Sequence, residues 1–260
     1  MRRTAILLAL VLSCTLVVAC GKGGNSSTAS RSPTSTTVTR GATTNRLPTH
    51  AQALAFAHAV NLTAADAPGF TATPHQHGGS ASEQRLEQEL RSCTGSRGSR
   101  DPRGSQGSSS TVAEAGSPNF ELHRGVLDLT VSSEVSVAHD SAQAAGTLSA
   151  IRSAHVRACV SRYLTQLLKS QRYAGATVTG VSIASGTPPA PGTTGGFGWR
   201  VTATLAVRGI HVPFYLDILG FVYGPAQVTL SSSGGLRPFP AAAQEHLFSL
   251  LLTRARALSL

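Results

Sequence analysis

Residues 199–231 read WRVTATLAVRGIHVPFYLDILGFVYGPAQVTLS, and this stretch decides the fold class. In its first ten residues, apolar side chains at the odd positions alternate with polar ones at every even position except Ala206, which is the period of a strand with one buried face. The dipeptides Arg208-Gly209 and Gly224-Pro225 then separate three apolar segments and are typical of tight turns. Strands joined by such short turns run antiparallel, so the stretch predicts consecutive strands of a meander.

Further strands and helices are predicted on both sides of this meander. A strand is expected over residues 176–183, and apolar residues at alternate positions predict another over 126–137. Apolar residues at helical spacing predict helices over residues 47–60, 82–92 and 141–171. Pro240 favours the start of a last helix, where proline is well tolerated. The fold class is therefore α+β: a single twisted antiparallel sheet, with a long central helix and N- and C-terminal helices packed on one face.

The N-terminus has the pattern of an export signal. The first three residues, MRR, precede an apolar segment over residues 5–19, which is shorter than the about 20 apolar residues of a membrane-spanning helix. The segment ends in VVAC at residues 17–20, which resembles the bacterial lipobox. The resemblance implies cleavage after Ala19, lipid on the sulfur of Cys20 and a fatty-acylated (palmitate-type) amino terminus. An ordinary signal peptide and an uncleaved N-terminal anchor are the alternatives.

The chain is expected to divide into three parts. Residues 1–19 form the signal peptide, and residues 20–46 form the lipidated cysteine with a disordered linker rich in Ser, Thr and Gly. Residues 47–260 form a single extracytoplasmic domain. Within that domain, residues 95–117 lack apolar periodicity and are predicted to form an exposed, mobile insertion.

The charge balance limits the partners. Only 13% of the residues are charged and 41% are hydrophobic, which indicates a folded protein, and the formal net charge is +10. Loss of the leader leaves 20 basic and 12 acidic residues, a charge of +8. Such a charge often indicates nucleic-acid binding, but an exported protein rarely meets nucleic acid, and none is expected. Anionic lipid headgroups or envelope polymers fit the location; an arginine-rich composition of a GC-rich genome is the simpler explanation.

Two cysteines remain besides Cys20 once the leader is removed. Cys93 and Cys159 form an even pair in an oxidising compartment, which predicts a disulfide between them. The bridge would close a loop of about 66 residues and contribute about 4 kcal/mol. A metal site is the less favoured alternative, because no C-x-x-C pattern is present.

Two short features are candidates for chemistry in loops and turns. His75 and His77 stand two residues apart and could both reach one metal ion, although exposed loop histidines are more common. The sequence GGFG at residues 195–198 is glycine-rich, but it is expected to be a flexible hairpin loop rather than a phosphate cradle. No metal and no cofactor are therefore predicted.

Trp199 and Asp217 are the candidate pocket residues. Trp199 could line a ligand cleft between sheet and helix, or it could cap the core beside the glycine-rich loop. Asp217 lies in an apolar strand and could mark the same pocket. The favoured alternative for Asp217 is a cross-strand ion pair with Arg200 or Arg208.

Three segments carry a family resemblance: VSSEVSV at residues 131–137, YLDILGFVYGPAQVTL at 215–230 and PFPAAAQEHLFSLLLTRA at 238–255. In pattern and order, residues 50–257 resemble the extracytoplasmic sensor-type domains of actinobacteria, which occur under receptor kinases of the PknH type and as free-standing lipoproteins. The resemblance implies a sensor-like domain without agreed catalytic residues. Kinase sensor domains hold more than one disulfide, whereas this chain can form one, and it lacks the kinase domain.

These observations favour a non-catalytic, ligand-binding or sensor-like lipoprotein on the cell membrane, facing outside the cytoplasm. Its partners are then the membrane, through the N-terminal lipid, and an unidentified envelope ligand or protein. The alternatives are a structural or interaction lipoprotein, and an envelope hydrolase with an unrecognised acid–histidine arrangement. A cleft that gathers His, Asp or Glu would favour the hydrolase, and a large exposed apolar patch would favour the interaction protein.

Overall fold

The computed structural model describes residues 47–74, 81–94, 111–125, 127–170, 176–258 and 260, without the side chains of residues 81–83, 87 and 91. The expected leader, Cys20, the linker, and the loop with His75 and His77 lie outside the described residues. None of the described helices is long and apolar enough to cross a membrane.

The described residues include five α-helices and eight strands. The helices are α1 His50–Val60, α2 Ala81–Cys93, α3 Ser141–Arg152, α4 Ala154–Ser170 and α5 Ala241–Ala257. The strands are β1 Thr71–Thr73, β2 Thr111–Gly116, β3 Asn119–Arg124, β4 Leu127–Ala138, β5 Ala176–Gly186, β6 Gly195–Val207, β7 Ile210–Tyr223 and β8 Ala226–Gly235.

All eight strands belong to one open antiparallel sheet, in the order β1-β3-β4-β8-β7-β6-β5, with β2 also paired to β4. The predicted fold class is therefore confirmed. The hairpin between β6 and β7 turns at Arg208 and Gly209, whose φ angles of 50° and 82° are those of a tight two-residue turn that matches strand twist. The meander predicted from residues 199–231 is β6, β7 and β8.

Helices cover both faces of the sheet, whereas the sequence analysis expected them on one. Alternation along β7 shows the division, because neighbouring residues of a strand point to opposite faces. Phe221 packs edge-on against Phe248 of α5, with ring centroids 5.5 Å apart, in the core shared with α1. Ile218 and Val222 lie in a second core with α3 and α4. Both faces of the sheet's centre are thus buried.

The long central helix predicted over residues 141–171 is two helices. Ser153 interrupts it in an extended conformation, with φ −67° and ψ 147°. Its hydroxyl accepts a hydrogen bond of 3.2 Å from the backbone N–H of Val156, so the serine caps the start of α4. The apolar stripe continues across the break through Ile151 and Val156, both buried, which explains why the pattern indicated one helix.

The insertion predicted over residues 95–117 is shorter than expected. Residues 95–110 lie outside the described residues, but Thr111–Gly116 is strand β2, paired with the end of β4. Ala113 and Ala115 face the core beneath α1 and are buried. Small side chains at these alternate positions let α1 lie close to the sheet. Because alanine is only weakly hydrophobic, the alternation in this segment was too weak to predict a strand.

Candidate functional site

The break between α3 and α4 opens a cleft of about 320 Å³ beside the end of β5 and the start of β6. We term it the arginine cleft, because Arg152 at the end of α3 and Arg157 in the first turn of α4 line it. Ser185 and Thr187 form its rim, and Phe197 and Trp199 form its inner wall. No carboxylate occurs among the described residues that line it.

Arg152 is held in place by the backbone of the glycine-rich segment. Its Nε donates a 2.9 Å hydrogen bond to the carbonyl of Gly196, and its Nη2 donates to the same oxygen. Gly195 makes this approach possible, since a Cβ there would lie 2.6 Å from Nη2, and its φ of 149° suits glycine. The expectation of a flexible loop at residues 195–198 was therefore wrong: GGFG begins β6 and seats the arginine.

Arg157 is exposed and lightly held. Its Nη1 donates a 3.2 Å hydrogen bond to the hydroxyl of Ser185 across the cleft, and no ion pair joins it or Arg152 to a described carboxylate. Arg200 and Arg254 differ, since each makes a bidentate pair with an aspartate. Within the part of the chain that the structure describes, the positive charge of the arginine cleft is therefore not compensated.

Trp199 lines the arginine cleft and also belongs to the core. Its side chain is 5% exposed, and its ring lies 5.7 Å from that of Phe197. Trp199 therefore combines the two roles considered for it: most of the indole packs in the core, and the remainder forms part of the cleft wall.

Asp217 lies on the opposite face from Trp199, so these residues do not share a pocket. In the sheet Trp199 pairs with Ile218, and Asp217 pairs with Arg200. The carboxylate accepts hydrogen bonds from Arg200 at 2.6 and 2.9 Å and from the amide of Gln244 at 3.2 Å. The hydrogen bond to Asp217 raises the pKa of Arg200. The cross-strand ion pair is the structural role of Asp217.

A disulfide joins Cys93, at the end of α2, to Cys159 of α4, which is the pairing expected from the sequence. Beside it, a groove of about 430 Å³ separates the two helices; we term it the α2–α4 groove, and Arg85, Glu89, Arg162 and Gln166 line it. Here both signs of charge occur, so the groove lacks the one-sided charge of the arginine cleft.

His155 stands next to this disulfide, one helical turn before Cys159. Its Nε2 lies 2.7 Å from the carbonyl oxygen of Cys93 and 3.8 Å from the Cys159 sulfur. The two sulfurs and the imidazole are close enough to surround a metal ion. Metal binding needs thiolates, and in the disulfide both sulfurs are bonded to each other.

The sequence analysis missed a chain of polar side chains at the β1–β3–β4 edge. Thr73 donates a 2.7 Å hydrogen bond to Glu121, whose other oxygen lies 3.4 Å from Nε2 of His123. Asp128 lies 3.0 Å from Nδ1 of the same ring. In a nucleophilic triad the hydroxyl would contact the histidine, whereas here Thr73 contacts the carboxylate. Glu121 faces Nε2 of His123, whereas Asp128 faces Nδ1. A single metal ion therefore could not bind one nitrogen of this ring together with both carboxylates.

Glu134 of β4 lies within hydrogen-bonding reach of Glu114 of β2. Desolvation, and next the charge and hydrogen bond of Glu114, raise the pKa of Glu134 to about 8. Glu134 therefore keeps its proton near neutral pH and shares it with Glu114 through their hydrogen bond. Because residues 111–116 fell in the expected insertion, the contact between Glu114 and Glu134 was not predictable from local sequence patterns.

Comparison with known proteins identifies no family for this chain and a weak structural likeness. No protein-family model and no curated protein matches the chain. Among solved structures, the chain is similar to the crystal structure of the extracellular domain of PknH from Mycobacterium tuberculosis, with a TM-score of 0.37 and 11% identity. The match covers 65% of this chain and 77% of that chain. The likeness is weak and lends no weight to any function.

Proposed function

We propose that the protein is a lipid-anchored domain outside the cytoplasm that binds a ligand in the arginine cleft and catalyses no reaction. The observation that carries the proposal is the cleft itself. It is a concave site in which two arginines and two hydroxyl side chains converge beside an apolar wall. Binding sites commonly combine such a wall with a few well-placed polar groups.

The geometry also favours binding over catalysis. The described lining of the arginine cleft holds arginine, hydroxyl and aromatic side chains, but no histidine or carboxylate to act as a general base. The acid–histidine arrangement found among the described contacts lies at the β1–β3–β4 edge, where the hydroxyl of Thr73 contacts the carboxylate of Glu121 and not the histidine. The envelope hydrolase is therefore the weaker alternative.

The anchor is argued from the sequence. The lipobox-like VVAC ends at Cys20, and a linker of 26 residues separates it from the first described residue, Leu47. A flexible chain of this length has a root-mean-square span of about 25–30 Å. Such a tether would hold the domain near the membrane surface.

Native mass spectrometry of the protein extracted from its own membrane tests the proposal. We expect a mass increase from lipid at the N-terminus and a second, noncovalent mass from a retained ligand. Thr187→Trp fills the rim of the arginine cleft, and Gln166→Trp fills the α2–α4 groove; both residues are exposed. Loss of the ligand in Thr187→Trp alone would support the proposal. Absence of the lipid mass, or equal retention in both variants, would overturn it.

A further inference from the structure

We infer that the ligand of the arginine cleft carries a phosphate group. The inference rests on the proposed function and adds the chemistry of the ligand to it. The phosphate is a monoester, which could belong to a small soluble molecule or to a lipid with a terminal phosphate such as phosphatidic acid, because both present three anionic oxygens to the protein.

Charge is the first argument. The described lining brings two guanidinium groups together without a carboxylate. A phosphate monoester carries about −1.5 to −2 charges at neutral pH, whereas a carboxylate carries one. Two arginines are therefore neutralised by one phosphate. A single carboxylate would neutralise only about half of the charge of the two arginines.

The free donors are the second argument. An arginine has five N–H groups in a planar fork. Arg152 uses Nε and Nη2 on one backbone carbonyl, which fixes its plane and leaves its Nη1 side free of described partners. Arg157 uses Nη1 on the hydroxyl of Ser185. An anion that replaced this weak 3.2 Å contact would meet donors of both arginines and the two hydroxyls of the rim.

Shape is the third argument. Donors reach the cleft from the end of α3, from α4 and from the β5 rim, which are three separate directions. A tetrahedral phosphate offers three oxygens in three directions, whereas a planar carboxylate offers two in one plane. The start of α4 adds the partial positive charge of a 17-residue helix to the same side.

The inner wall limits what can be attached to the phosphate. Ile151, Phe197 and Trp199 line it and are buried, so they offer a small apolar surface rather than an open stacking platform. A volume of about 320 Å³ accommodates a phosphate with a short apolar or glycerol-sized part. A whole acyl chain would remain outside.

The single tryptophan makes the test direct, because Trp199 is the only one in the chain and lines the cleft. The intact lipoprotein in detergent is titrated with glycerol 3-phosphate, and with acetate as the carboxylate control, while Trp199 fluorescence is followed. Separately, the protein is inserted into vesicles that contain phosphatidic acid, or into phosphatidylcholine vesicles, whose headgroups carry no net charge. Arg157→Gln is compared with Arg162→Gln, which removes the same charge from the same helix but faces the α2–α4 groove.

We expect saturable binding of glycerol 3-phosphate that Arg157→Gln weakens about tenfold or more and that Arg162→Gln changes by less than about twofold. A response to phosphatidic acid vesicles alone, with the same dependence on Arg157, would assign the phosphate to a lipid headgroup and also support the inference. Equal binding of acetate, equal loss in both variants, or no response to either phosphate would overturn it. The native mass measurement separates the two failures: a ligand mass that persists there leaves the proposed function standing.

Discussion

Arg200 and Asp217 face each other across β6 and β7 and form a two-point ion pair, with Nε–Oδ1 at 2.6 Å and Nη2–Oδ2 at 2.9 Å. The pair is asymmetric, because the arginine side chain is 56% exposed and that of the aspartate only 4%. Loss of the arginine leaves a buried charge with Gln244 as its remaining partner. Loss of the aspartate leaves an arginine that water can solvate.

The two partners should therefore differ in what their removal costs. We expect Arg200→Met to lower the free energy of unfolding by about 3 kcal/mol and Asp217→Asn by about 1 kcal/mol. Urea denaturation measures both, with Arg237→Met, at an exposed arginine, as the control. Equal losses for the two variants would show that the burial of Asp217 does not set the energetics of the pair.

Glu134 should make the protein less stable as the pH rises. Its pKa is raised from 4.5 to about 8 in the folded state. Between these values the folded protein keeps a proton that the unfolded chain has lost, so the free energy of unfolding falls as the pH increases. We expect a decrease of about 2–4 kcal/mol between pH 5 and 8. Chemical denaturation at a series of pH values measures it.

Glu134→Gln keeps the neutral form and should remove most of this slope, whereas Glu245→Gln, at an exposed site on α5, should leave it. Asp66 does not confuse the comparison. Burial raises the pKa of Asp66, but hydrogen bonds from Arg254 and Thr63 more than offset this effect and lower it. Its contribution is lost only as the pH falls into the acid range. A slope unchanged in Glu134→Gln would contradict the shared proton.

The disulfide should hold α2 in place. Among the described helices and strands, α2 contacts chiefly α4, through Cys93 and apolar residues such as Leu86 and Leu90. We expect the double variant Cys93→Ala, Cys159→Ala to lose about 4 kcal/mol of stability. Hydrogen exchange should accelerate in α2 and remain slow in β4, which serves as the internal reference. Unchanged protection of α2 would mean that apolar packing alone holds the helix.

Gly195 should affect binding more than stability. Alanine there would force Arg152 away from the Gly196 carbonyl, because the new Cβ would lie 2.6 Å from Nη2. Gly209 is the matched control, since its φ of 82° is also positive but a Cβ there meets nothing within 4 Å. We expect both alanine variants to lose about 1 kcal/mol through backbone strain, and only Gly195→Ala to lose the ligand in native mass spectrometry. Loss of the ligand in both Gly195→Ala and Gly209→Ala would show that the effect on binding does not act through Arg152.

The sequence predicted the parts of the fold that rest on local periodicity. The alternation after Trp199 and the turn at Arg208-Gly209 were sufficient for the β6–β7 hairpin, and the ion pair of Asp217 followed from an acid in an apolar strand with arginines on its neighbour. The helical break at Ser153 was not predictable from the apolar stripe. Serine interrupts a helix only where its cap bonds compete successfully, and tertiary packing decides that competition.

The arginine cleft could not be predicted from local sequence patterns for a different reason. Arg152 and Arg157 both fall within the single helix predicted over residues 141–171, and the rim at Ser185 and the wall at Trp199 come from two strands. Only the sheet register and the break at Ser153 bring these segments together. The polar chain at His123 was missed in the same way, because Thr73 comes from another strand.

The account depends most on a fatty acid at Cys20, outside the cytoplasm. Metabolic labelling with radioactive palmitate, followed by membrane fractionation, tests this directly in Cys20→Ala and in Cys14→Ala, a cysteine within the expected leader. The account predicts that Cys14→Ala remains labelled and in the membrane, whereas Cys20→Ala loses the label. A Cys20→Ala protein that still carries the label, or a wild-type protein recovered unlabelled from the cytosol with Cys93 and Cys159 as free thiols, would contradict it.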